Sequence, residues 1–168
     1  MPPLNRRAFL ATLGASTIAS FAGCSTVGND DPPAGSLQFT NQDSLPHAIR
    51  VAVMNVGSEL NNKTGTVAGE VTVPAPQRNL TATEQLSSEE STTYTDVFTA
   101  PVWYRVKCTV DRRQSSDREA MTQAIFHPAP PERGYVNYLQ ALVRDSGRLE
   151  LAVVTTDNTG RYTPDISE

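Results

Sequence analysis

Apolar residues in this chain recur mainly at every second position, in short runs separated by turn-forming residues. Leu37 and Phe39 alternate with Gln38 and Thr40, and Ile49, Val51 and Val53 resume the pattern after Asn41-Gln42-Asp43-Ser44-Leu45-Pro46. In an extended strand successive side chains point to opposite faces, so this alternation marks half-buried strands. The first two runs predict a hairpin across the Asn41–Pro46 turn. Asn55 to Gly65 reads as a polar loop, and Val67, Val71 and Val73 as a strand that Pro74 and Pro76 terminate. Residues 77–91 are rich in Ser and Thr with Leu80 and Leu86 as isolated anchors, the pattern of an edge strand or a long loop.

The strongest strand is Val102 to Val110. Val102, Tyr104, Val106, Cys108 and Val110 form its apolar face, with Arg105, Lys107 and Thr109 opposite. Cys108 is therefore expected to be a packed core thiol. The interleaved charges of Asp111 to Glu119 make a solvated tip, Met121 to Phe126 returns as a strand, and His127-Pro128-Ala129-Pro130-Pro131 breaks regular structure. A further hairpin pairs Leu139, Ala141 and Val143 with Leu149, Leu151 and Val153 across Asp145-Ser146-Gly147. Helical periodicity is not sustained anywhere in this part of the chain. The prediction is an all-β domain over residues 37–156, an antiparallel two-sheet sandwich of about seven to nine strands, immunoglobulin-like or cupredoxin-like, with a polar, frayed tail at 157–168.

The first two dozen residues differ in kind. Ala8 to Gly23 is apolar without alternation, yet shorter than the roughly 20 residues a membrane-spanning helix needs, and diluted by Thr12, Gly14, Ser16, Thr17 and Ser20. It suits the apolar centre of a cleavable export signal, with Ala22 and Gly23 as the small residues before the cut. Asn5-Arg6-Arg7-Ala8-Phe9-Leu10 resembles a twin-arginine export signal, and Phe21-Ala22-Gly23-Cys24 resembles the lipobox of prokaryotic lipoproteins. The resemblance implies that Arg6, Arg7, Phe9 and Leu10 act in export and that residues 1–23 are removed. It also implies that Cys24 carries a lipid thioether holding the protein to the outer, extracytoplasmic face of the cell membrane. Each buried lipid methylene contributes about 0.8 kcal/mol to such an anchor. Residues 24–36, rich in Gly, Pro and Asp, read as the lipidated end and a tether. The whole arrangement is similar to the small twin-arginine lipoproteins of haloarchaea, which implies location and fold class and, by analogy, folding before export.

Composition refines this picture. The formal charge is −4, from 14 basic and 18 acidic residues, and losing Arg6 and Arg7 with the signal brings it to −6. Nucleic acid is therefore not an expected partner, because it rewards clustered Lys and Arg. The expected partners are the membrane, through the lipid on Cys24, and an envelope protein or ligand that the sequence does not name. Lys63 and Lys107 are the only lysines, which suits either a salt-loving archaeon or an arginine-rich codon bias. With Cys24 lipidated, Cys108 has no disulfide partner.

One local pattern bears on chemistry. Phe39-Thr40-Asn41-Gln42-Asp43-Ser44-Leu45-Pro46-His47 is similar to the segment of cupredoxins in which a strand ends in Asn shortly before the first copper-binding histidine. That resemblance implies a copper site of His47, Cys108 and His127 with Met54 or Met121, and an electron-transfer role. Spacing argues the other way: Met121 precedes His127, and a hairpin separates Cys108 from His127. No catalytic or phosphate-binding motif occurs, and the Glu89-Glu90 and Asp30-Asp31 pairs are neighbours that point apart in extended chain. Asn62-Lys63-Thr64 and Asn79-Leu80-Thr81 are glycosylation acceptors in predicted loops. The leading expectation is a non-enzymatic structural, binding or accessory module without a cofactor. A copper protein is the main alternative, and an envelope hydrolase, which would need a concave pocket of converging polar groups, is a further one.

Overall fold

The structure, a computed structural model, describes residues 31–61, 64–111, 120–131 and 133–162. Ten strands follow in order: β1 (Leu37–Asn41), β2 (His47–Gly57), β3 (Glu59–Asn61), β4 (Thr66–Ala68), β5 (Thr81–Leu86), β6 (Ser91–Tyr94), β7 (Trp103–Val110), β8 (Ala120–Phe126), β9 (Val136–Val143) and β10 (Leu149–Thr156). A single turn of helix, α1 (Ala75–Arg78), precedes β5. Two four-stranded sheets, ordered β10-β9-β1-β6 and β5-β2-β7-β8, pack as a sandwich, and β3-β4 forms a small third sheet. Among the described pairs β1–β9 alone is parallel.

The all-β sandwich read from alternation is the fold observed. The tenth strand is β3, which lies where the sequence suggested a polar loop and pairs with β4, the short stretch around Val67 that is all the expected Val67–Val73 strand amounts to. That segment was obscured by a β-bulge: Val53 pairs with Val106 and Asn55 with Arg105, leaving Met54 as the extra residue. Val53 and Val56 consequently both face the core, three positions apart, and period-two reading fails there. Val71 and Val73 pack against the core from outside any strand.

The expected β1–β2 hairpin does not form, because β1 and β2 belong to different sheets. Leu37 and Phe39 of β1 and Ile49 and Val51 of β2 are all 0 % exposed, so the strands present their apolar faces to a shared core instead of pairing edge to edge. Asn41 holds the crossing loop. Its fully buried side chain donates to the carbonyls of Leu45 and Ser87, both at 2.8 Å, and accepts from the Asp43 N–H at 3.0 Å. The other pairings follow the alternation. β8 returns antiparallel to β7, and Leu139, Ala141 and Val143 meet Val153, Leu151 and Leu149. β5 is an edge strand.

Phe98, Tyr104 and Phe126 pack with ring centroids 4.8–6.2 Å apart in the core. Burial of the Tyr104 hydroxyl is compensated by bonds to Gln77 Oε1 at 2.9 Å and the Ala100 carbonyl at 3.2 Å. Gln77, carried by α1, also donates to the Val97 carbonyl at 2.8 Å and accepts from the Thr99 N–H at 2.9 Å. Among the described residues the Ser36 hydroxyl is the only buried side-chain polar atom without a partner, so polar satisfaction is nearly complete.

Both expected domain limits, Ser36 and Thr156, fall inside packed structure. Ala34, Ser36 and Tyr162 are buried. Ala34 N–H bonds the Asn158 carbonyl, Phe98 N–H bonds the Gly35 carbonyl, and the Tyr162 hydroxyl donates to the Phe98 carbonyl. The two ends of the described chain are thus sewn to each other and to the 97–100 loop, which period-two reasoning does not detect. Residues 24–30 and 163–168, the rest of the predicted tether and tail, lie outside the described residues.

Gly57 ends β2 beneath β4, where an added Cβ would lie 2.1 Å from the Ala68 carbonyl oxygen. A backbone atom cannot swing aside as a flexible side chain does. Gly57→Ala should therefore destabilise the fold by about 1–3 kcal/mol. A lowered urea midpoint at unchanged slope would show it, and an unchanged midpoint would refute the close β2–β4 contact.

Candidate functional site

The residues considered for copper are dispersed. His47 begins β2, where Ile49 pairs with Val110 at the end of β7. His127 follows β8, where Phe126 pairs with Tyr104 at the start of β7. The histidines thus occupy opposite ends of the sheet, separated by the six steps from Tyr104 to Val110, roughly 20 Å of strand. Cys108 lies between them, 0 % exposed and facing the core, while Met54 and Met121 are exposed. Among the described residues no group of three or more His, Cys, Asp and Glu side chains is placed to hold a metal ion. His47, Cys108 and His127 therefore do not form the copper site that the cupredoxin resemblance implied. Burial raises the Cys108 pKa to about 12, so it stays a thiol, packed as its place in the alternation predicts.

His47 instead pairs with Asp43 at 2.8 Å and approaches the Asp111 carbonyl at 3.4 Å. Its hydrogen bond is the main reason the Asp43 carboxyl titrates below its ordinary value. Glu90 accepts the Ser87 N–H at 2.7 Å and serves the β5–β6 turn, next to Glu89 with a positive φ of 59°. Asn79 is exposed at the C-terminal end of α1, within reach of a modifying enzyme. Asn62, Cys24, Arg6, Arg7, Phe9, Leu10 and Asp30 lie outside the described residues.

A pocket with more chemical content opens where β8 and β10, edge strands of opposite sheets, pack together. Its position follows from strand alternation. Because Tyr104 and Phe126 turn inward, Trp103 and Ile125 turn outward at the same end of the sheet. Val153 of β10, 41 % exposed, contributes to the opposite wall, and Leu60 of the β3-β4 hairpin and Pro130 extend the apolar lining. The cleft is broadly open to solvent, with a volume of about 290 Å³.

The polar groups around it are held by the break after β8. The His127 imidazole packs against Trp103 with centroids 4.9 Å apart and ring planes at 68°. Nδ1 of His127 accepts the Ala129 N–H at 3.1 Å, which puts the proton of the neutral ring on Nε2. The ring's one lone pair is thereby committed to backbone. Burial lowers the His127 pKa to about 4, so the ring is neutral near pH 7. Asn137 of β9 fastens this corner, donating to the His127 carbonyl at 3.0 Å and accepting from Thr155 Oγ1 at 3.2 Å. At the rim Arg133 Nη1 donates to the Tyr135 hydroxyl at 2.9 Å. The result is an open cleft whose lining mixes apolar and polar surface, with hydrogen-bond donors at its rim.

A smaller depression of about 200 Å³ lies at the other end of the sandwich beside His47 and Asp111. Sequence reasoning singled out His127 but missed the pocket. The available signal was Trp103, the chain's one tryptophan, on the wet side of an otherwise clean alternation. Comparison of the chain with protein-family models, with curated proteins and with solved structures finds no match in any of the three.

Titration of His127 couples the pocket corner to pH. Its folded pKa lies below the ordinary 6.5, so the unfolded chain takes up a proton that the folded protein refuses between pH 6.5 and about 4. Stability from this group is complete above pH 6.5 and falls on acidification, by up to about 3 kcal/mol. Asp43, with its depressed pKa, adds a further loss only as pH falls below about 3.8. Urea titrations at stepped pH should show the first loss in the wild type and a flattened profile from 6.5 to 4 in His127→Phe. Equal slopes would contradict a neutral, buried His127. In a Cys24→Ser background, Cys108 should react with a disulfide reagent only as fast as the protein opens, whereas prompt labelling would contradict its burial.

Proposed function

We propose that this protein is a lipid-anchored, extracytoplasmic β-sandwich of the cell envelope that works as a non-catalytic binding module. The observation that carries the binding role is the Trp103–His127 pocket: it combines apolar surface with donors at its rim, but its one imidazole has its Nδ1 lone pair committed to the Ala129 N–H. A general base needs a free lone pair within reach of the proton it removes, and His127 offers none. This favours binding over the hydrolase alternative, and the dispersal of His47, Cys108 and His127 removes the support for electron transfer.

The location rests on the resemblance of Arg6-Arg7 and Phe21-Ala22-Gly23-Cys24 to an export signal and a lipobox. Among the described residues no helix is long and apolar enough to cross a membrane, and the attachment in this reading is the lipid on Cys24. Packing of residues 34–36 against the body shortens the tether, bringing the sandwich nearer the membrane than a free segment to residue 36 would.

Fractionation of producing cells tests the reading. Wild-type protein is expected in the membrane fraction, cleaved before Cys24, and Cys24→Ser is expected to lose lipidation and that cleavage. Identical partition and processing of the two proteins would refute the anchor.

A further inference from the structure

The residues around the Trp103 pocket also say what kind of molecule it suits, and this step rests on the binding-module reading above. Arg133 is the one charged side chain of the lining, and no carboxylate among the described residues joins it there. One of its N–H groups is given to the Tyr135 hydroxyl, which fixes the guanidinium at the rim and leaves its remaining donors for a ligand. By accepting that bond, the Tyr135 hydroxyl keeps its own proton to donate outward. The rim therefore offers a guanidinium and a hydroxyl as donors, in a chain whose formal charge is −4. A planar guanidinium fork matches a carboxylate in a bidentate way that a point charge does not.

The walls set the other half of the ligand. Trp103 is held from one side by the His127 ring, and Ile125 and Val153 add aliphatic surface. His127 contributes a neutral ring whose Nδ1 is already bonded, while Asn137 and Thr155 add polar surface beside the apolar walls. A volume of about 290 Å³ is at the small end for ligand pockets, room for one ring and a substituent. An extended lipid tail would not be enclosed, and a free inorganic anion would leave the apolar walls unused.

We propose that the pocket binds a six-membered-ring carboxylate, with the ring against Trp103, Ile125 and Val153 and the carboxylate on Arg133 and the Tyr135 hydroxyl. Two sources share this chemistry, a free aromatic acid and a uronic acid residue of a polysaccharide. Trp103 is the only tryptophan in the chain, so its emission reports on the pocket directly.

The test is a fluorescence titration of the purified full chain with benzoate and glucuronate, alongside benzamide and methyl glucoside as uncharged counterparts, with calorimetry as a second readout. The expected result is a saturable response to at least one carboxylate, with affinity at least about tenfold above its uncharged counterpart. Arg133→Gln should weaken that binding by at least about tenfold, Arg133→Lys should restore part of it, and thermal midpoints should stay unchanged because Arg133 is exposed. Preference for benzoate assigns a free aromatic acid, and preference for glucuronate an acidic sugar. Saturable binding of the uncharged rings with equal affinity would overturn the carboxylate assignment while leaving a binding pocket. No saturable response to any probe would overturn this proposal, while the anchoring reading is decided separately by the Cys24→Ser fractionation.

Discussion

Tyr104 faces the core and its neighbours Trp103 and Arg105 must then face outward, and the pocket end of this protein depends on that alternation. The Tyr104 ring is fully buried between Phe98 and Phe126, a position that removes a large apolar surface from water and tolerates no one-residue slip. Its hydroxyl would be costly there without partners, and Gln77 and Ala100 supply them. Once that register is set, Phe126 is drawn inward opposite Tyr104, Ile125 turns outward, and the chain reaches His127 beside the indole of Trp103. The external pocket is in this sense a consequence of an internal packing choice.

Three buried amides do for the loops what the aromatic cluster does for the strands. Asn41 ties the β1–β2 crossing to the β5–β6 turn, Gln77 ties α1 to the 97–100 loop, and Asn137 ties β9 to the break after β8. An amide is fitted to this work because it offers both donors and an acceptor and carries no charge to desolvate. Each also occupies backbone groups that a sandwich leaves unpaired where chain passes between sheets, at a cost of about 1–3 kcal/mol per group if left unsatisfied. Loops stitched in this way can present Tyr135 and Arg133 in a defined arrangement beside Trp103 of β7 without contributing to a sheet.

Strand alternation made much of the fold legible. The β9–β10 hairpin, the β7–β8 pair and the inward set Tyr104, Val106, Cys108 and Val110 all follow from side chains alternating across a pleated strand. The β1–β2 hairpin failed because alternation identifies a buried face but not the strand alongside it, and two such faces can as well oppose each other across a core. At Met54 a single bulged residue broke the period and hid the end of β2 together with the hairpin after it. Ala34, Phe98 and Tyr162 escaped for a different reason: each is buried by tertiary contact from a non-strand segment with no period to read.

The candidate site divides along the same line. From the sequence alone come the resemblance of the first residues to export and lipidation motifs, the acidic balance, the core placement of Cys108 and an inventory in which two histidines and one cysteine could be considered for a metal. These are properties of residue type and order, and they survive whatever the chain pairs with. Only the tertiary structure decided that His47 and His127 lie at opposite ends of a sheet, and that His127 meets Trp103, with Arg133 and Tyr135 at the rim between β8 and β10. Their proximity is set by which strand edges meet when two sheets close over a common core, a long-range choice that no local pattern encodes.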